Sequence, residues 1–482
     1  MAESLKNKTL KGLAWTGIEN FSCQGVQFLV MLVMANLLTP ADYGLLSMIG
    51  IFTAIASALM NSGFTTALMR KNDRTETDIC TVFYYNIAAS VLLYLILFFC
   101  AGPIADFYNE PRLVAIVRVN GIALILSALM GIQYTLLAIR LDFKTTAKAS
   151  FSAALISGIV GVTAAYKGLG VWALVIQGFV SQIVSGAIVW YICAWHPRLL
   201  YSWRSFRELF GFGYKLCLSS ILDTAYGNIY QIVIGKIYSA TDLGYYTRAK
   251  GFANLPSSNL TGMLSRVAFP VLCSIQDDVP RLQSAYRRLI RMSGFVMFPL
   301  MLGLAAVAYP LIHVLLNPNW YAAAPLLQVI CFSMMWYPVH ALNLNLLQVR
   351  GRSDLFLRLE IIKKILGVAT LVATAPFGVL VMCYGSVFTS IVCLVINTYY
   401  TGKLINVGFW MQMRDLLPTL FYSLTMWLLV LGIVYILPSN WLQLLVGVPV
   451  GALYYVGIAY LTRSRDLDEV LLILKKKKQP AE

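Results

Sequence analysis

The sequence predicts an all-α polytopic membrane protein of about fourteen transmembrane helices: two parallel six-helix bundles followed by two further C-terminal helices. Three observations carry this. The 482 residues are 59% hydrophobic and only 12% charged, about half the charge of an ordinary soluble domain, and mean hydropathy is +0.73. Apolar runs such as "VFYYNIAASVLLYLILFFCAG" (82–102) recur along the chain, each long enough to cross a hydrocarbon core of about 30 Å as a helix. Finally, "ANLLTPADYGLL" (35–46) returns in the second half as "GKIYSATDLGYY" (235–246).

Taken in order, the expected spans are 12–37, 43–66, 79–102, 114–138, 147–166, 170–194, 209–236, 243–271, 289–309, 322–347, 357–375, 378–401, 416–437 and 441–462. The start, "MAESLKNKTLK", leads into the first span without a small-residue cleavage site, so no cleavable leader is expected. The Asp-x-Gly turns (Asp42/Gly44 and Asp242/Gly244) then fall after spans 1 and 7. Gly allows a tight backbone at a helix-to-helix corner, and Asp can cap the helix that follows. The repeat unit is six helices, an even number, so both copies enter the membrane the same way and are related by an axis along its normal. The expected organisation is 1–200 for the first bundle, 201–405 for the second, 406–462 for the two added helices and 463–482 for a basic tail.

Net charge is +16, yet its placement argues against nucleic acid. All Lys and Arg but eight cluster in alternate connections and tails: 6–11, 70–74, 140–148, 198–207, 281–291, 350–364, 403–414 and 463–478. The connections between these, such as "LTPADYG", "YKGLG" and "LPSN", are poor in both. This is the positive-inside pattern. It predicts a multi-pass protein with both termini cytoplasmic and an even span count. The terminal "KKKK" is suited to anionic lipid headgroups, at about 1 kcal/mol per residue. The nine cysteines fall singly, without metal-ligand spacing, and are expected to be small apolar filler.

The eight exceptions are Arg112, Arg118, Lys167, Lys215, Lys236, Arg248, Lys250 and Arg266. Charges inside a membrane are costly and normally face protein or water. Arg112, Lys167 and Lys236 sit near outer loop ends, where long side chains reach the interface. In span 7, Lys215, Ser219, Asp223, Tyr226 and Tyr230 form one helical stripe. Span 1 carries Thr16, Asn20, Gln24 and Gln27 in similar phase, beside Glu19, and span 8 places Arg248, Asn259 and Arg266 on one face. With Arg118 of span 4, these define a hydrated cleft of cationic bias, suited to an anionic cargo. Arg248 and Arg118 are its stronger candidates, whereas Lys215 and Arg266 serve equally well as anchors at the inner interface. Lys250 lies on another face. The three histidines are scattered and read as structural. Asp223 and Glu19 are the carboxylates available for proton or sodium coupling. No cofactor, metal site or nucleotide-binding loop is expected, nor any large extramembrane domain.

In the order and spacing of "ANLLTPADYGLLSM" (35–48), "GFTTALMRKND" (63–73), "RLDFKTTA" (140–147), "GLGVWALVIQ" (168–177), "IVIGKIYSATDLGYYTRAKGFANLP" (232–256), "VAFPVLCSIQDD" (267–278) and "LNPNWYAAAPLLQV" (316–329), the chain resembles the polysaccharide transport family of the multidrug/oligosaccharidyl-lipid/polysaccharide (MOP) exporter superfamily, near O-antigen, colanic-acid and teichuronic-acid flippases. The resemblance covers almost the whole chain. It implies a V-shaped pair of bundles and a location in the bacterial inner membrane. It also implies alternating access and a cargo of oligosaccharide on undecaprenyl pyrophosphate, with a polymerase and chain-length regulator as partners. Arg248 falls inside "LGYYTRA". Family members often carry an acid shortly before "IGK", where this chain has Tyr230, leaving Asp223 or Glu19 for any ion coupling. Two other readings stand beside this one. A cation-coupled drug or metabolite exporter calls for more carboxylates in the cleft. A membrane polysaccharide polymerase or ligase calls for a large outer loop.

Overall fold

The computed structural model describes residues 22–61, 63–71, 73–193 and 195–469. Glu19 and Asn20, both candidates above, and the basic tail beyond 469 lie outside the described residues. Among those described, every regular element is a helix. The first half comprises α1 (Ser22–Leu37), α2 (Pro40–Asn61), α3 (Phe64–Arg70), α4 (Glu76–Tyr108), α5 (Leu113–Asn120), α6 (Ile122–Ile139), α7 (Phe143–Tyr166) and α8 (Val171–Ile192). There follow α9 (Trp203–Gly227), α10 (Ile229–Ile237), α11 (Ala240–Ser274), α12 (Val279–Ala306), α13 (Ala308–Leu315), α14 (Ala323–Met334) and α15 (Tyr337–Val349). The chain continues with α16 (Ser353–Thr374), α17 (Val379–Ile405), α18 (Phe409–Ile436) and α19 (Asn440–Leu461).

Ten segments among the described residues are long and apolar enough to cross a membrane, counting α2 with α3, α5 with α6 and α14 with α15 as single spans. The other four expected spans coincide with α1, α9–α10, α11 and α16. The described part of α1 is short, and the other three carry charged residues inside the helix, such as Asp223, Arg248 and Lys363. Of these three, α9–α10 and α11 are helices on which polar stripes were read; α16 is not.

Several expected spans are broken, each for a local reason. Gly121 separates α5 from α6. Asn228 separates α9 from α10, its amide donating to Thr224 O at 2.8 Å. Pro338 in the first turn of α15 cannot donate back into α14.

The repeated Asp-x-Gly motif works differently from the sequence expectation. Asp42 and Asp242 do not themselves cap; they sit in the first turn of α2 and α11. Thr39 occupies the cap position, and the Asp42 carboxylate accepts from its backbone N (2.9 Å) and its hydroxyl (2.7 Å). In the second copy the Ser239 hydroxyl donates to the Asp242 carboxylate at 2.6 Å and accepts from Asp242 N at 3.1 Å. Both are reciprocal capping arrangements. The glycines are helical, and what they permit is contact: a Cβ on Gly44 would collide with Ala240 O, and one on Gly244 with Pro40 O. The two copies of the motif cross each other, glycine against backbone.

Packing divides the chain into two compact units, Met1–Gly244 and Tyr245–Glu482. In the first, α7 and α8 form a close hairpin turned by Gly168 (φ 77°) and Gly170 (φ 54°), with Ala164, Ala165 and Ala173 buried between neighbours. Small residues let membrane helices approach and gain dispersion contacts. A second close crossing joins α9 to the start of α3, where Gly63 and Gly213 meet backbone to backbone. Around it an aromatic core gathers Phe64, Tyr85 and Phe206, Phe64 lying 4.0 Å from Tyr85 and 5.5 Å from Phe206 between ring centroids. Lys71 bridges Asp78 of α4 and Glu208 of α9, each at 3.2 Å. Desolvation opposes its charge, but the two carboxylates outweigh it and raise the Lys71 pKa above the usual lysine range.

In the second unit α12 is the hub. Gly294 receives Leu416 of α18. Arg287 forks onto Asp415 with two bonds of 2.7 Å, while Arg288 reaches Glu469 (2.8 Å) and Arg291 reaches Asp466 (3.2 Å). These arginines, read from sequence as a cytoplasmic fringe, thus also hold helices together. Deeper in, buried Asn343 exchanges hydrogen bonds of 3.0 and 3.1 Å with buried Gln412 and accepts from the buried Thr401 hydroxyl at 2.7 Å. His340 lies between Asn397 and Ser390, each at 3.1 Å. The Asn397 amide nitrogen can only donate, so His340 Nδ1 accepts and Nε2 carries the proton.

Candidate functional site

Arg248, two turns into α11, is buried at 6% exposure. Its guanidinium lies over the Trp320 ring, 5.1 Å from the centroid. Trp320 closes a short 3-10 turn, Pro318–Trp320, held by the Asn317 side chain accepting from Asn319 N at 3.1 Å. Tyr245 meets the same ring edge-on at 6.4 Å. Two motifs far apart in sequence, "LGYYTRA" and "LNPNW", are therefore one cluster, in which the ring's π face offsets part of the cost of burying a cation.

The other candidates are distributed. Asn259 and Arg266 lie further along α11 in the second unit; Asn259 donates back to Leu255 O at 2.7 Å, and Arg266 is exposed. In the first unit, Arg118 is exposed on α5 with its guanidinium 4.6 Å from the Phe98 ring centroid on α4. Gln24 and Tyr226 are half-buried and Asp223 is exposed on α9. Lys215 lies on α9, its side chain outside the described part. Of the outer-end cations, Arg112 pairs with Glu110 at 3.2 Å and Lys236 donates to Phe107 O.

The first unit also contains an uncharged cavity, lined by both polar and apolar groups, that charge-based reading passes over. Its larger part, about 390 Å³, is lined by Thr65, Ser127, Tyr134, Thr135, Gln182 and Ser185, with Met69, Met130 and Gly131. A smaller part of about 180 Å³ adds Thr53, Ser57 and Asn120, and shares Ser127 and Gln182 with the first. No charged side chain lines either. Tyr134 and Ser185 share a hydrogen bond of 2.9 Å, while Thr65 Oγ1 and Gln182 Oε1 are buried without a hydrogen-bond partner. The sequence signal was present: Ser127 and Tyr134, seven residues apart, and Gln182 and Ser185, three apart, each recur on one face of a helix.

Comparison with known proteins places this geometry. In sequence, the chain is 28% identical to the teichuronic acid biosynthesis protein TuaB of Bacillus subtilis (strain 168) over 356 residues, 73% of each chain. It is 24% identical to the succinoglycan biosynthesis transport protein ExoT of Rhizobium meliloti (strain 1021) over 497 aligned positions, 100% of this chain and 98% of that one. In structure, it matches the lipid II flippase MurJ in an inward closed conformation at a TM-score of 0.75, with 12% identity, over 94% of this chain and 99% of that one. An inward-facing multidrug resistance MATE transporter of the MOP superfamily matches at 0.63, with 13% identity, over 80% and 96%. The fold is that of the MOP superfamily. The profile of the family described as "Polysaccharide biosynthesis protein" matches residues 33–325, more than half of the chain, and to that family this protein belongs.

Proposed function

We propose that this membrane protein is a flippase that moves oligosaccharide repeat units, carried on undecaprenyl pyrophosphate, from the inner to the outer leaflet of the bacterial inner membrane for surface polysaccharide assembly. The observation that carries the reading is end-to-end similarity to a protein named for succinoglycan transport, on a fold shared with a lipid flippase. The residues support it. In the second unit Arg248 and Arg266 are proposed to attract the pyrophosphate and Asn259 to hydrate its path; in the first, Arg118 and Lys215 are proposed for the charge and Asn20, Gln24 and Tyr226 for hydration. The prenyl tail would remain in lipid. In this reading the protein acts by alternating access, without catalysis or a cofactor, both termini are cytoplasmic, and a polymerase and chain-length regulator consume the product. Any proton or sodium coupling would run through Asp223 or Glu19.

Deletion in the native host tests this directly. Lipid-linked repeat units should accumulate on the cytoplasmic leaflet while surface polymer disappears. If repeat units still reach the outer leaflet and only polymer length changes, the reading fails in favour of a polymerase or ligase.

A further inference from the structure

We infer that the uncharged cavity of the first unit is a saccharide subsite, taking sugar rings of the cargo rather than its pyrophosphate or its lipid. The inference rests on the transport reading above and adds to it a place and a chemistry. Ser127, Gln182, Ser185, Tyr134 and Thr65 supply hydroxyl and amide groups, each able to donate and accept, which matches a sugar hydroxyl. With no cation in the lining, the cavity has nothing to neutralise a pyrophosphate. With no carboxylate, it has nothing to offset the cost of a bare metal ion in a membrane interior. The Tyr134 ring and the Met130 side chain give apolar surface against which the C–H face of a pyranose can lie.

Size and extent agree with this chemistry. About 390 Å³ falls within the usual range of small-ligand pockets, roughly 300–1,000 Å³. The smaller part continues the lining from α6 past Gly121 to Asn120 at the end of α5, fifteen residues from Thr135 or about 22 Å at the helical rise, long enough for more than one ring. The buried Thr65 Oγ1 and Gln182 Oε1 are hydrogen-bonding capacity that the protein itself does not use. Such capacity is costly in a low-dielectric interior; both atoms are closed to solvent here, and a ligand hydroxyl reaches them only once the side chain turns toward the cavity.

The test uses the full chain in lipid nanodiscs and two probes: undecaprenyl pyrophosphate bearing the host's repeat unit, and bare undecaprenyl pyrophosphate. The wild-type protein should bind the sugar-bearing lipid about tenfold more tightly than the bare one, the value of one or two well-made hydrogen bonds. Gln182→Leu should abolish most of that preference while leaving affinity for the bare carrier unchanged. Ser185→Ala, which removes a single oxygen and guards against a folding loss, should reduce the preference about threefold. Equal wild-type binding of the two probes, or an undiminished preference in both variants, overturns the subsite and leaves flipping intact. Failure of the wild type to bind either probe overturns the transport reading itself.

Discussion

Arg248 stacks on Trp320 in the interior of the second unit, so any substitution there acts on packing as well as on charge. A desolvated cation over an indole contributes about 2 kcal/mol, and alanine would also open a cavity. Arg248→Met limits the packing loss, because it keeps an apolar side chain of similar reach and removes the guanidinium that lies over Trp320. If Arg248 serves the cargo as proposed, Arg248→Met should keep near-normal protein levels and lose surface polysaccharide. Unchanged polysaccharide would reduce the residue to a packing element. At this scale the sequence was half legible. A charge inside a span identified Arg248, but Trp320 is distant in the chain, and nothing in a single sequence pairs them. The cavity was missed for a related reason: Ser127, Tyr134, Gln182 and Ser185 are individually unremarkable in a membrane helix and become a site only when α6 and α8 face each other.

At the scale of helices, the repeated motif was found correctly and explained incorrectly. Glycine near a helix start reads as a turn residue, yet Gly44 and Gly244 are there so that two helices can cross at backbone distance, which is a non-local requirement. Two alanines in the same helix make the distinction measurable. Gly44→Ala puts a methyl into Ala240 O and should destabilise the protein by about 1–3 kcal/mol. Gly50→Ala, with nothing within 4 Å of the added carbon, should be neutral or stabilise by up to about 1 kcal/mol through helix propensity. Thermal unfolding of the purified variants reads the difference, and equal midpoints would show that the crossing is soft. The arginines of α12 give a second case. Arg287 is about one-third exposed and Asp415 about one-twelfth (34% and 8%), so their pair lies between the exposed and buried regimes. Asp415→Asn should cost about 2 kcal/mol. A midpoint within error of wild type would mean that solvent already screens the pair.

For the whole molecule, hydropathy and loop charge were enough to reach an all-helical polytopic fold, because a bilayer restricts such apolar runs to helices and positive-inside alternation orders them, while the MOP architecture came from the resemblance carried by the sequence motifs. What they left open is the number of crossings. Ten described segments qualify on hydropathy, and α9–α10, α11 and α16 do not, since charged residues within them dilute their apolar character. The connections between helices nevertheless fall where the charge alternation put them, with 109–112, 167–170 and 437–439 among the basic-poor set and 140–142, 350–352 and 406–408 among the basic set. This makes the count testable through its parity. If α16 failed to cross, every later connection would change sides. Alkaline phosphatase fused after Ser439 should therefore be active and a fluorescent protein fused there dark, whereas fusions after Asn406 should behave oppositely. Reversal at both sites would remove one span before α17. Reversal at Ser439 alone would remove α18 from the membrane, despite the apolar length that qualifies it.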